Sequence, residues 1–327
     1  AQAYEYISLI SLGMVANVFY NLFSSYLRAV GNSRMPLVFL VLSACLNVVL
    51  DLILIINFKM GVAGAAWATN LAKEISAVLC AVYIYKKVPA LMPEKRHWRF
   101  HKGDTRYQLA TGIPMALQFA ITSSGTMVMQ SAINLFGSEA VAAYTAAGKI
   151  HGLLTQGMVA MGQTMAVYSG QNYGKGDAGR IRQGVRAALI IEVIYSIVSA
   201  VVVSAALGPS LGLFFSGEVD LAAMMPWART YTTICTLFYV PLCTIFIFRN
   251  TMQGCGYGFL PMMGGVVELA ARLIVAVIAM DIHSYWLACA CDPAAWVGAG
   301  LFTGISYLYV IKKIEKSLGK GTAVHKS

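Results

Sequence analysis

The chain has 327 residues and a formal net charge of +10, from 24 Lys and Arg against 14 Asp and Glu. Charged residues make up 12% and AVILMFWYC 58%, so the charge density is about half that of an ordinary soluble domain. So few charges cannot cover the surface of a soluble protein this long, which excludes a cytosolic or secreted enzyme, a nucleic-acid-binding module and a disordered chain. Seven Cys are present, and Cys45, Cys80, Cys235 and Cys243 lie inside apolar runs, where they act as small hydrophobes, not as a disulfide framework.

A helix that crosses a bilayer needs about 20 mostly apolar residues. Nine stretches qualify, at 7–26, 36–56, 62–84, 112–136, 141–168, 185–207, 231–248, 261–280 and 296–310. Turn and charge signals separate them, among them Gly31-Asn-Ser, Phe58-Lys-Met-Gly, Phe136-Gly-Ser-Glu and Gly174-Lys-Gly-Asp. No apolar/polar alternation runs through them, which argues against a β-barrel. The expected fold is therefore an all-α polytopic membrane protein with about nine transmembrane helices.

Orientation follows from Lys and Arg. One set of loops holds Arg28, Arg34, the run from Lys86 to Arg106, Lys175, Arg180, Arg182, Arg186, Arg249 and the tail from Lys312 to Lys326. The alternate loops hold Lys59 and Arg229, and acids collect there: Glu5, Glu139, Glu218, Asp220, Asp281 and Asp292. The basic side is expected to be cytoplasmic, with the C-terminus inside and residue 1 outside. The positive charge then reflects topology and anionic headgroups, and no nucleic acid is expected as a partner. An outside start with neither initiator Met nor signal peptide leads to the expectation of an N-terminally truncated chain, with three spans preceding Ala1.

An internal repeat organises the spans. Laying Tyr6 on Tyr231 and carrying the register forward without a gap puts Leu12 on Leu237, Val15 on Val240 and Phe23 on Phe248. It also puts Gly31 on Gly256, Pro36 on Pro261 and Val41 on Val266. The shared core is the turn 28–36 against 253–261, where Gly supplies an unusual backbone conformation and Pro starts the next helix. Continuing the match to the last span calls for an insertion before 296. The repeats are an even number of spans apart, so both point the same way through the membrane. The expected domains are 1–88, the second half of an N-terminal lobe; 89–111, a basic linker; 112–311, a complete six-helix lobe; and 312–327, a basic tail.

The chain closely resembles the multidrug and toxic compound extrusion (MATE) family, in its bacterial DinF-like branch. The resemblance is carried by Leu27-Arg-Ala-Val-Gly-Asn-Ser-Arg-Met-Pro36, Leu46-Asn-Val-Val-Leu-Asp51 and Gly61-Val-Ala-Gly-Ala-Ala-Trp67. In the second lobe it is carried by Gly112-Ile-Pro114 with Gln118, Ala142-Ala-Tyr-Thr-Ala-Ala147 and Gly170-Gln-Asn-Tyr-Gly-Lys-Gly176. It implies twelve helices in two six-helix lobes, and efflux of amphipathic, often cationic compounds by alternating access, driven by Na⁺ or H⁺. It also implies a bacterial inner-membrane location, small organic substrates and no obligatory protein partner. The family's Na⁺-binding acids on the seventh and tenth helices are replaced here by Thr122 and Ser123 on one span and by no acid on the other, which favours H⁺ over Na⁺.

Charges inside the spans are costly and are functional candidates by default: Asp51, Lys73, Glu74, Lys149, Glu192, Glu268 and Arg272. Glu268 and Arg272, at i and i+4, read as an ion pair that either ties its helix to the lobe or acts as a relay broken by protonation. Lys149 reads either as lining a cavity or as a partner of Glu192 or Glu268. Asp51, at the outer end of its span, reads as capping or snorkelling in preference to ion binding. Lys73 and Glu74 are adjacent, hence about 100° apart on the helix, and do not pair with each other. Gln118, Thr122, Gln130 and Asn134 read as one polar stripe, serving as interhelical glue or as cavity lining. Tyr239, with Tyr231, Phe238, Met158 and Met161, offers either an adaptable binding surface or ordinary lipid-facing or core packing.

Other signals are bland. Gly170–Gly176 lacks phosphate-loop spacing and reads as a turn. His97 and His101 sit in a basic aromatic stretch suited to headgroup contact, so no metal site and no cofactor are expected. Cys289 and Cys291 are expected outside the membrane. An intramembrane enzyme would need clustered His or paired acids, which are absent from the spans. The competing reading keeps the fold and changes the cargo to a lipid-linked saccharide, which would ask for a strongly cationic cavity.

Overall fold

The computed structural model describes residues 2–94, 99–214 and 221–324. Eleven α-helices account for nearly all of them, with no strand among the described residues. They are α1 (Gln2–Leu12), α2 (Met14–Ala29), α3 (Arg34–Leu52), α4 (Gly61–Lys87), α5 (Lys102–Ile133), α6 (Ser138–Gly174), α7 (Ala178–Phe214), α8 (Leu221–Leu237), α9 (Tyr239–Gly254), α10 (Phe259–Asp281) and α11 (Tyr285–Val324). They divide into two compact units, Ala1–His101 and Lys102–Ser327.

Helices α3, α7, α10 and α11 are each long and apolar enough to cross a membrane. The pairs α1–α2 and α8–α9 qualify as single bent spans, at 44° and 50°. Helices α4, α5 and α6 are long enough but fall short of the same apolar measure. They carry Asn70, Lys73 and Glu74, then Gln118, Thr122 and Gln130, then Lys149, His151, Gln156 and Gln163. Polar side chains at this depth need protein or water beside them, not lipid.

The repeat is visible in the backbone. The breaks in the two bent spans fall at Gly13 and Phe238, which the repeat register superposes. Both copies of the following turn end in a Schellman motif, with Gly31 and Gly256 at φ 86° and 84°. In one copy the Asn32 amide bonds Leu27 O at 2.9 Å and Gly31 bonds Arg28 O at 3.0 Å; in the other Tyr257 bonds Met252 O at 2.9 Å and Gly256 bonds Gln253 O at 2.9 Å. Helices α3 and α10 then start at superposed residues, Arg34 and Phe259.

The bends have different causes. In the first unit the Asn70 side chain donates to Leu9 O at 2.7 Å, and the Gly13 amide sits 3.4 Å from that same carbonyl. Asn70 has entered the helical ladder, one of the recognised origins of a kink. Only Gly fits there, since a Cβ at 13 would overlap the Asn70 amide. In the second unit Pro241 has no N–H for Leu237 O, and its ring crowds that carbonyl; the helix breaks at Phe238.

Several sequence expectations are corrected. The last span begins at Tyr285, not at 296, and the match to α4 needs no insertion in the second unit. Instead the first unit has one extra residue, absorbed by a π turn, Ile53–Asn57, at the end of α3. Asp292, Cys289 and Cys291, expected outside, are buried in α11, and Arg249, expected in a loop, lies within α9. Of the segment expected as a linker, residues from Lys102 onward are helical, and the expected tail continues α11 to Val324. Gly170–Gly174 is helical too, the turn being confined to Lys175–Asp177, where Gly176 has φ 77°. Residues Lys95, Arg96, His97, Trp98, Glu218, Asp220 and Lys326 lie outside the described residues.

Candidate functional site

The charged centre of the second unit lies where α10 meets α11. The i, i+4 spacing sets Glu268 and Arg272 on one face of α10, and Arg272 Nη2 lies 2.9 Å from Glu268 Oε1. Arg272 Nε reaches across to Asp292 Oδ1 on α11 at 2.7 Å. The three residues are 5%, 3% and 8% exposed. Arg249 on α9 is within electrostatic reach of Glu268. The charges therefore alternate in sign from Arg249 through Glu268 and Arg272 to Asp292 and sum to zero, which is how a low-dielectric interior tolerates them. Arg272 Nη1 has no hydrogen-bond partner. It points at α5, where a Cβ placed on Gly125 would stand 2.6 Å from it.

Aromatic residues line the neighbouring space. His151 on α6 stacks on Trp296 of α11, with centroids 5.6 Å apart and planes 8° apart. His151 Nδ1 and the Tyr239 hydroxyl are 2.9 Å apart, and Tyr231 packs edge-on to Tyr144 at 4.9 Å. Tyr231, Tyr239 and Met158 are buried in the main core and Phe238 is partly buried beside it, whereas Met161 is partly buried against a second cluster that holds Met165, Ile181 and Ile247.

The residues expected as one polar stripe on α5 do not share a face. Steps of four residues drift by about 40° each around a helix, so Gln118 and Asn134 come out roughly opposite one another. Gln118, 1% exposed, accepts from Gln253 Nε2 of α9 at 3.0 Å. Thr122 Oγ1 is shielded and makes no hydrogen bond. Gln130 donates to Asn134 Oδ1 at 2.9 Å at the exposed end of the helix.

The remaining candidates are scattered. Lys149 is exposed on α6, whereas Glu192 and Glu268 are buried. Glu192 is 2% exposed on α7, and its Oε2 has no hydrogen-bond partner. Asp51 is half-buried in the last turn of α3 and its Oδ1 makes no hydrogen bond, so the expected capping is not observed. Lys73 Nζ contacts Asn17 Oδ1 at 3.3 Å, clear of Glu74. In the first unit the positions equivalent to Glu268 and Arg272 are Ser43 and Asn47, which make neutral contacts to Ala72 O at 3.1 Å and Thr69 Oγ1 at 3.4 Å. Among the described residues no three His, Cys, Asp or Glu converge as a metal site.

Duplicated bent spans beside helices that carry polar side chains at membrane depth are the build of a multi-pass membrane protein. The MatE family model matches residues 1–53 and 114–278, more than half of the chain and parts of both units. The chain belongs to the MatE family. It is 32% identical over 181 residues to the probable multidrug resistance protein YpnP of Bacillus subtilis, covering 55% of this chain and 40% of that protein. It is 24% identical over 310 residues to the probable multidrug resistance protein NorM of Thermotoga maritima, covering 91% and 63%. A crystal structure of MATE in complex with MaL6 superposes with TM-score 0.85 at 20% identity, over 95% of this chain and 70% of that one. The chain thus spans less than two thirds of the length of these curated relatives.

Proposed function

We propose that the protein is a secondary antiporter that exports amphipathic, cationic organic compounds by alternating access, with H⁺ influx as the driving gradient. Its place is the bacterial inner membrane, with the basic C-terminal end in the cytoplasm. The observation that carries this reading is the family match in both units. The multidrug resistance names of the relatives support the substrate class. H⁺ is favoured over Na⁺ because Glu268 and Asp292, the acids buried at the α10–α11 seam, are both engaged by Arg272, and because Thr122 and Ser123 stand where Na⁺-coupled members carry an acid.

Everted membrane vesicles test it directly. An imposed proton gradient should drive ethidium accumulation, and a Na⁺ gradient at fixed pH should not. Lys149→Ala should slow that accumulation several-fold without lowering the amount of folded protein, because Lys149 is exposed on α6. Vesicles that respond to neither gradient would refute the exporter reading.

A further inference from the structure

Glu74 stands at the midpoint of α4 and makes no hydrogen bond or ion pair with any described residue. Its neighbour Lys73 is turned away, with Nζ on Asn17 Oδ1 and 5.9 Å above the Tyr20 ring. An acid at that depth needs water or a cation beside it. Glu74 is exposed on the rim of an open apolar groove of about 360 Å³ between α2 and α4, whose walls include Leu12, Val15, Phe19, Phe23 and Val78. Phe19 and Phe23 stack with centroids 5.9 Å apart and planes 26° apart, presenting a continuous aromatic wall.

The groove is a property of the repeat, not of one loop or side chain. The second unit has the equivalent groove between α9 and α11, of about 440 Å³, lined by Val240, Pro241, Phe248, Leu301 and Ile305. Val240 and Phe248 superpose on Val15 and Phe23 in the repeat register. The second unit carries no charge there, and the position corresponding to Glu74 is Gly298. The first unit has therefore kept the shared apolar seat and added one carboxylate to it. Both volumes fall in the range of small-molecule sites, roughly 300–1,000 Å³.

We propose that this first-unit groove binds a lipophilic organic cation, with Glu74 as its counter-ion and Phe19 and Phe23 as the face against which its apolar groups lie. The choice of occupant rests on charge: lipid acyl chains or a neutral molecule would fill the groove but bring no counter-charge to the carboxylate. Aromatic faces add attraction for a cation that they withhold from a neutral ligand of the same shape. The assignment of this class of ligand rests on the exporter reading above; the location of the site does not.

The test is equilibrium binding of tetraphenylphosphonium to the purified protein in detergent, with neutral triphenylphosphine oxide as a control and ethidium export measured in parallel. Glu74→Gln should weaken tetraphenylphosphonium roughly tenfold, the scale of one lost charge-assisted contact, and leave triphenylphosphine oxide unchanged. Glu74→Asp should restore most of the binding. Val78→Trp, which fills the groove and keeps the acid, should weaken both ligands and decides the matter if Glu74→Gln does not fold. Tetraphenylphosphonium binding that survives both Glu74→Gln and Val78→Trp would overturn the site while leaving export intact. A wild-type protein that binds the cation through Glu74 but exports nothing would instead overturn the exporter reading alone.

Discussion

Gly31 and Gly256 close equivalent turns in the two units with the same left-handed backbone, φ 86° and 84°, but in different surroundings. Nothing lies within 4 Å of where a Cβ on Gly31 would stand, whereas a Cβ on Gly256 would overlap the Tyr107 hydroxyl. Gly31→Ala should cost about 1–2 kcal/mol, the penalty for an L-residue in this conformation. Gly256→Ala should cost more by about 1–3 kcal/mol of overpacking. Thermal unfolding in detergent checks the ranking, and Tyr107→Phe should bring the Gly256→Ala penalty back toward that of Gly31→Ala.

Removing Arg272 leaves two buried carboxylates without their shared partner. Arg272→Ala should destabilise the protein by about 3–5 kcal/mol, the usual loss on breaking a buried pair from one side. Replacing the trio together, with Glu268→Leu, Arg272→Met and Asp292→Leu, should recover only part of that loss, since apolar packing of similar volume often matches a buried ion pair but Arg249 is left without its counter-charge. Unfolding midpoints of the single and triple variants separate these outcomes; equal losses would mean that the side chains' shape, not their charge, holds the seam.

Gly125 tests how tightly Arg272 is pinned. In an unconstrained helix Gly→Ala stabilises by about 1 kcal/mol. Here the added Cβ meets Nη1 at 2.6 Å, and the guanidinium is held by Glu268 and Asp292. Gly125→Ala should therefore destabilise, by about 1–3 kcal/mol. In the background of Arg272→Met the same change should become neutral or favourable, which a double-mutant cycle reads directly.

Cysteine labelling reports burial. Cys45 is exposed and the other six are buried; burial also pushes the Cys255 thiol up to about 12. Cys45 lies midway along the membrane-crossing α3, where its exposed side meets lipid or detergent, so N-ethylmaleimide should label none of the seven in the folded protein at pH 8 and should label them on unfolding. Raising the pH to about 9.5 should still not recruit Cys255, because reaction follows the thiolate. An unfolded chain returns Cys255 to an ordinary thiol pKa, about 8.5. Stability from this group is thus complete below that value and is lost as pH climbs through it toward 12.

The fold was legible because its signals are local and periodic. Apolar runs, Gly31 and Gly256, and the following prolines each act within one turn of the chain, and the duplication repeats them. Asp292 was not, because Cys291-Asp-Pro reads as a turn: an acid followed by a helix breaker. Arg272 neutralises that acid from another helix, and Pro293 is tolerated inside α11. Carrying the repeat register past Gly61 to Tyr285 would have placed α11 correctly and drawn attention to Asp292. The polar stripe on α5 failed for a simpler reason, since a spacing of four residues is not a helical period.

The two bent spans share an angle but not a mechanism. In the second unit the bend is written into the covalent chain, because no rearrangement gives Pro241 an amide hydrogen. In the first a side chain from another helix, Asn70, donates to Leu9 O at 2.7 Å, and the Gly13 amide donates to the same carbonyl at 3.4 Å and to Ile10 O at 3.1 Å. One unit therefore has an elbow fixed by its covalent structure, and the other an elbow held by a side chain from a neighbouring helix.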